Sequence, residues 1–208
     1  MSEWGIRLLL WLAAFLLGSI PFGLLVSRLY GVNNLRDQGS GNIGATNVTR
    51  VVGFWPAGVL TFLLDAIKGV LLILPIRFHW AFEGLVPEST ALFWSIALVS
   101  VLGHCFSPWL RFRGGKGVAT IFGAVFLLAP WSGLVAAVVF ALTYLATRVG
   151  AAASMLSLMA ALSVYRLFYP YDSSLVLFFA MVLLAIYRHE SNLDQLLQSN
   201  GSSANESV

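Results

Sequence analysis

The 208 residues are 59% hydrophobic and only 10% charged, with a mean hydropathy of +0.85. Soluble domains carry about 25% charged residues, so this chain cannot cover itself with polar surface in water, and an all-α integral membrane protein is the direct reading. Its formal charge of +3 is the balance of 12 basic against 9 acidic residues, and the basic ones are scattered between apolar runs, which excludes the basic stripe of a nucleic-acid binder and suits loops oriented in a membrane.

Residues 6–30 form the first candidate span, with Pro21 and two glycines predicting a kink or a close helix contact. This run is too long for the apolar region of a cleaved signal peptide and lacks a small-residue exit site. Residues 54–74 form the second span and residues 91–106 the third. Residues 118–128 are apolar but short, and Ala129-Pro130 separates them from residues 131–146. Residues 151–168 and 175–187 complete the series. The expectation is a polytopic protein of about seven transmembrane helices. Five spans stay open if residues 118–146 make one bent element and the last run lies in the interface.

Lys and Arg gather in alternate loops. Arg36 and Arg50 follow the first span, with Arg28 just inside it; Arg111, Arg113 and Lys116 follow the third, Arg148 the fifth and Arg188 the last. The opposite set holds Arg7 and Arg77 with Glu83, Glu88 and Asp172. By the positive-inside rule the N-terminus is expected outside and the C-terminus in the cytoplasm. Residues 1–194 read as a single membrane domain, and residues 195–208, rich in Ser, Asn and Gly, as a disordered tail.

Four polar clusters interrupt this apolar background. Residues 38–50 read Q-G-S-G-N-I-G-A-T-N-V-T-R. Such a run has little apolar area to bury, but it offers backbone N–H groups, small hydroxyls and amides beside a positive charge, which suits an oxyanion. In that reading Ser40 and Asn42 are hydrogen-bond partners of a phosphate and Arg50 is a bidentate clamp. The alternative is a glycine-rich turn with Thr46 or Asn47 capping the next helix. The accidental G-x-G-x-x-G within it follows a membrane helix rather than a strand, so it is no dinucleotide fingerprint.

Residues 111–120 read R-F-R-G-G-K-G-V-A-T. The glycines can form an anion-binding nest charged by Arg113 and Lys116. A plain positive-inside anchor would explain the cations but not Gly114, Gly115 and Gly117 crowded around Lys116. Residues 187–194, Y-R-H-E-S-N-L-D, place His189 and Asn192 three apart, on one face if the helix continues. His189 is a candidate base or phosphate partner; the other reading is a solvated helix end. Asp65 and Lys68, three apart inside the second span, are expected to pair with each other. His104 is expected to bond a neighbouring backbone group. Cys105, the single cysteine, makes neither an internal disulfide nor a multi-cysteine metal site.

Together, G-S-G-N-I-G-A-T-N-V-T-R, G-G-K-G-V-A-T and R-H-x-x-N resemble the bacterial acyl-phosphate-dependent glycerol-3-phosphate acyltransferases, from the first span to about Leu197. The resemblance implies seven membrane helices in the bacterial cell (inner) membrane and an active site on the cytoplasmic side. It also implies transfer of an acyl chain from acyl phosphate to the 1-hydroxyl of glycerol 3-phosphate, at the opening of phospholipid synthesis. The products are 1-acylglycerol 3-phosphate and phosphate. By motif, Ser40 and Asn42 join His189 and Asn192 as catalytic candidates. Arg50, Thr46 and Asn47 join Arg113, Lys116, Gly114, Gly115 and Gly117 as the phosphate-binding set. Arg113 stands where family members often have Lys, and Pro108 falls one step later than usual after His104. No metal, cofactor or nucleic acid is implied; the partners are the two substrates and membrane lipid, with the oligomeric state open and a monomer compatible. The competing class is a transporter or flippase for a phosphorylated solute, whose cue would be internal repeats or helices broken at mid-span. No convincing repeat is present, and the polar clusters sit at span ends.

Overall fold

A computed structural model describes residues 2–78, 89–169 and 171–190, and among them every regular element is helical. The Ser2 side chain accepts the Gly5 N–H at 3.3 Å and so starts α1 (Glu3–Gly18). The chain then bends at residues 19–21, where Pro21 supplies no N–H and the Ser19 hydroxyl turns back to the Leu16 carbonyl at 2.7 Å. It resumes as α2 (Phe22–Leu29). Beyond the polar loop lie the short α3 (Ala45–Val51) and then α4 (Val59–Ile67), entered through a wide turn at Phe54–Gly58. Irregular backbone at residues 68–72 separates α4 from α5 (Ile73–Arg77).

Ser89 caps α6 (Thr90–Cys105) by accepting the Leu92 N–H at 3.1 Å. After the loop carrying the second glycine cluster comes α7 (Val118–Leu128). Pro130 opens α8 (Pro130–Thr147), a position where its missing donor costs nothing. α9 (Gly150–Phe168) follows, and Asp172 caps α10 (Ser173–Tyr187) by accepting the Ser174 N–H at 2.9 Å.

Four apolar segments are long enough to cross a bilayer, Glu3–Leu29, Thr90–Leu110, Pro130–Thr147 and Gly150–Phe168. Three shorter ones are Phe54–Ile67, Val118–Leu128 and Ser173–Tyr187. These match the seven runs seen in the sequence, and the expected kink in the first is the break before Pro21. Leu134, Val138, Leu142 and Leu145 stand exposed along α8, as side chains facing hydrocarbon do. Glu83, Glu88, Asn192 and the tail at residues 195–208 lie outside the described residues.

The core is built around α6. Trp94 stacks on Phe178 of α10 at 5.0 Å and meets Tyr165 of α9 edge-on at 5.3 Å, so three helices share one aromatic cluster. Each such pair adds about 0.5–1.5 kcal/mol beyond the area it buries. α1 packs along α6 with small residues at the seam. A Cβ on Gly18 would fall 2.2 Å from the Ser100 carbonyl oxygen, and one on Gly103 would fall 2.2 Å from that of Phe15. Without a hydrophobic force between helices in lipid, such backbone approach is a main source of attraction. Across the same seam the Trp11 indole N–H donates to Ser95 Oγ at 2.9 Å.

Asp65 and Lys68 are buried and pair with each other at 2.7 Å, as their spacing leads one to expect. The irregular stretch after α4 exposes carbonyls that lipid could not satisfy. Ser100 Oγ donates to the Lys68 carbonyl at 2.9 Å, and Thr120 Oγ1 donates to that of Asp65 at 2.9 Å. His104 departs from expectation. Its ring is not spent on a neighbouring backbone group but lies 3.4 Å from Lys68 Nζ and 3.7 Å from Asp65 Oδ1.

Candidate active site

The loop between α2 and α3 folds around Asn47. This buried side chain accepts the Ser40 N–H at 2.8 Å and donates to the carbonyls of Asn42 at 2.8 Å, Gln38 at 3.1 Å and Leu35 at 3.3 Å. Asn42 adds a local turn, its Oδ1 accepting the Gly44 N–H at 3.0 Å. Asn47 therefore ties a glycine-rich strip to the first turn of α3 and holds Ser40 and Asn42 outward. These side-chain bonds all lie within the loop, so in this structure Asn47 organises the strip that the phosphate-binding reading placed beside it.

The second glycine cluster is fixed in the same manner. Gly114 N–H donates to the Cys105 carbonyl and Gly115 N–H to that of His104, both at 3.0 Å. Above them, the Arg188 guanidinium donates to the carbonyls of Gly114 at 3.0 Å and Gly115 at 3.2 Å, and lies 5.5 Å from the Phe106 ring. These two amides are thus occupied by the chain and form no anion nest. Their glycines serve close approach: a Cβ on Gly114 would sit 2.0 Å from the His104 carbonyl oxygen. Gly117, at φ +78°, starts α7 against Val101 and Cys105.

These supports bring three distant stretches together around two adjoining cavities. The first, about 210 Å³, is lined by Arg36, Ser40, Asn42, Arg113, Gly114 and Lys116 among others. The second, about 220 Å³, is lined by Asn42, Lys116, Tyr187, Arg188 and Glu190. Asn42 and Lys116 border both. Four cations face these cavities, and Glu190 is the one acid lining either among the described residues. Burial, with the charges of Arg113 and Arg188, holds the Arg36 guanidinium below its ordinary range, and one Arg36 nitrogen donates to the Arg113 carbonyl. Burial, reinforced by Arg188, pushes the Lys116 ammonium down to about 8. Like charges crowded at a half-buried surface repel one another; a bound anion relieves that repulsion.

Other expected site residues stand apart. His189 is buried, lines neither cavity, and keeps Nδ1 2.7 Å from the Ala185 carbonyl oxygen. That contact makes Nδ1 the protonated nitrogen and leaves Nε2 the lone pair. Burial, and the nearby charge of Lys116, outweigh the Ala185 bond and lower the imidazole to about 4, so it is neutral at pH 7. Arg50 is exposed on the last turn of α3, its Cδ 3.3 Å from where a Gly39 Cβ would stand, and it lines neither cavity. Thr46 is exposed and faces Gly150 at the start of α9.

The profile of the glycerol-3-phosphate acyltransferase family matches residues 8–199. A glycerol-3-phosphate acyltransferase of Sulfurimonas denitrificans is 40% identical over 194 residues, covering 90% of this chain and 91% of that protein. One of Dinoroseobacter shibae is 42% identical over 195 residues, covering 93% and 90%. The chain belongs to the glycerol-3-phosphate acyltransferase family. The crystal structure of PlsY, an integral membrane glycerol 3-phosphate acyltransferase, in its glycerol 3-phosphate form superposes with a TM-score of 0.81 at 38% identity, covering 93% of this chain and 92% of that one. Its lysophosphatidic acid form gives 0.79 at 36% identity.

In this acyltransferase the described parts of the motifs meet, but one of the four cations at the cavities, Arg36, lies outside every motif. Arg36 precedes the first glycine stretch, and Arg188 stands beside His189; both look like ordinary positive-inside charges. The signal for Arg188 was its place within R-H-x-x-N. Arg36 carries none, because only the folded loop brings it to the Arg113 carbonyl.

Proposed function

We propose that the two cavities hold the phosphates of acyl phosphate and glycerol 3-phosphate side by side, and that the acyl group passes directly from the first to the 1-hydroxyl of the second. The observation that carries this reading is that, among the described residues, four cations and a single acid border two adjoining cavities sharing Lys116 and Asn42. Two phosphorylated reactants need that pattern; a single phosphate needs half of it. Arg36 and Arg113 serve one cavity, Arg188 the other, and Lys116 both, with Ser40 and Asn42 at the boundary. Arg50, whose stem passes beside Gly39, adds charge at the rim. In the direct step the hydroxyl oxygen attacks the acyl carbonyl carbon, an ester C–O bond forms, and the C–O bond to phosphate breaks. Inorganic phosphate leaves, and its own stability removes the need for a strong general acid.

The hydroxyl proton goes to a substrate phosphate oxygen. His189 is the alternative base, but its position behind the cavities and its lowered pKa of about 4 favour the substrate. A general base contributes ~10²–10⁴-fold; His189→Ala should cost much less than that in kcat. No activated nucleophile supports an acyl-enzyme, since Cys105 is fully buried and Ser40 has no base bonded to it among the described residues. Rate enhancement then comes from positioning and charge stabilisation.

The apolar helices run across the bilayer seven times, with the N-terminus outside and the cavities at the cytoplasmic surface, where Arg36, Arg113, Lys116 and Arg188 satisfy the positive-inside rule. The test is the purified chain in detergent, given acyl phosphate and glycerol 3-phosphate. Equal amounts of 1-acylglycerol 3-phosphate and inorganic phosphate are expected without any sealed vesicle. Failure to release phosphate there, with solute uptake in vesicles, would favour a transporter instead.

A further inference from the structure

Beneath the glycine loop lies a buried polar group that the transfer step does not use. His104 stands in the last turn of α6 with its ring almost wholly enclosed. On one side the ring meets Lys68 Nζ at 3.4 Å and Asp65 Oδ1 at 3.7 Å, and those two residues are paired at 2.7 Å. Lys68 also donates to the Ile20 carbonyl at the break in the first span and lies 4.9 Å from the Phe22 ring. The imidazole therefore has no room to retreat. Its opposite edge faces Gly115: a Cβ there would fall 2.2 Å from His104 Nε2, 3.0 Å from Cδ2 and 3.2 Å from Cε1. The next residue is Lys116, and the Gly115 carbonyl accepts from Arg188.

We infer that His104, braced by the Asp65–Lys68 pair, is a positioning residue: its ring is the floor on which Gly115 rests, and it sets the depth of Lys116 and Arg188 at the cavities. The inference rests on the reading of those cavities as the substrate phosphate site. The loop is gripped between His104 below and Arg188 above, so its height is fixed only while both surfaces stay in place. Ala at position 115 lifts the loop because every nearest obstacle is an atom of the His104 side chain. Position 114 differs, since its obstacles are the carbonyl oxygens of His104 at 2.0 Å and Cys105 at 2.8 Å, which no side-chain substitution removes.

The experiment measures kcat and KM for glycerol 3-phosphate, with thermal unfolding, on the full chain in detergent. Gly115→Ala should lower kcat/KM by about 10²-fold, the scale of an ångström-sized misplacement. Adding His104→Ala to Gly115→Ala should restore about tenfold or more, as for residues in direct contact. The same addition should leave Gly114→Ala unrescued. His104→Ala alone should raise KM while the unfolding midpoint shifts by only a few degrees. Full activity in Gly115→Ala, no gain in the double variant, or equal rescue of Gly114→Ala would overturn the inference. Should Gly115→Ala not be purified, His104→Ala alone decides: a lower midpoint with unchanged KM makes the ring ordinary packing. Lys116→Ala separates the two levels, because unaltered kcat/KM there would remove the substrate site itself, whatever the suppressor pair shows.

Discussion

Lys116 borders both cavities, and on the proposed reading its protonation is where pH should act. Burial and the Arg188 charge bring its ammonium to about 8. If the protonated form holds a substrate phosphate, as proposed, kcat/KM should fall as pH rises through about 8. Lys116→Arg should abolish that limb, because a guanidinium stays charged across the range. A kcat/KM profile through neutral and alkaline pH checks this, and an unchanged limb in the arginine variant would assign it elsewhere. Asn47 acts differently, through the loop it organises. Asn47→Ala should destabilise the chain by about 1–3 kcal/mol, since it strands buried carbonyls, and should lower kcat/KM by releasing Ser40 and Asn42. Unfolding in detergent and steady-state rates read the two effects separately. That Asn47 matters was visible in a glycine-rich strip ending in amides; that it faces inward was not. Its partners at Leu35, Gln38 and Asn42 depend on how the loop closes.

At the level of elements, the second apolar segment shows what local pattern can and cannot carry. Residues 54–74 read as one span because hydropathy is continuous, yet α4 ends at Ile67 and the backbone turns irregularly to residue 72. The break is stabilised from outside, by Ser100 on the Lys68 carbonyl and by the ion pair against His104, and partners from a distant helix leave no mark on the local sequence. By contrast, the limits of α7 were legible, because the second glycine cluster and Ala129-Pro130 mark its two ends. The buried pair yields a prediction of its own. Asp65→Leu leaves Lys68 charged and unpaired, and should cost about 3–5 kcal/mol. Asp65→Leu combined with Lys68→Met should recover much of that loss. A double variant as unstable as the single one would show that the pair contributes more than mutual neutralisation.

For the whole molecule, seven apolar segments serve to hold three polar stretches at one edge of the bundle. The segments, their order and the alternation of charge were readable because a bilayer imposes length and composition on each crossing. Which cations border the cavities was not, since Arg36 and Arg188 have the same sequence appearance as anchoring charges. A reporter fused after Asn200 should read as cytoplasmic, and an external reading would reverse the proposed orientation. The central claim is that two phosphate sites share one lysine. Its most direct test is the KM of each substrate measured in three variants. Lys116→Ala should raise both KM values. Arg36→Gln, bordering the first cavity alone, should raise only one, and Glu190→Gln, which removes the acid from the second, should lower only the other. If Lys116→Ala alters a single KM, or if Arg36→Gln and Glu190→Gln act on the same substrate, the two-cavity account is contradicted.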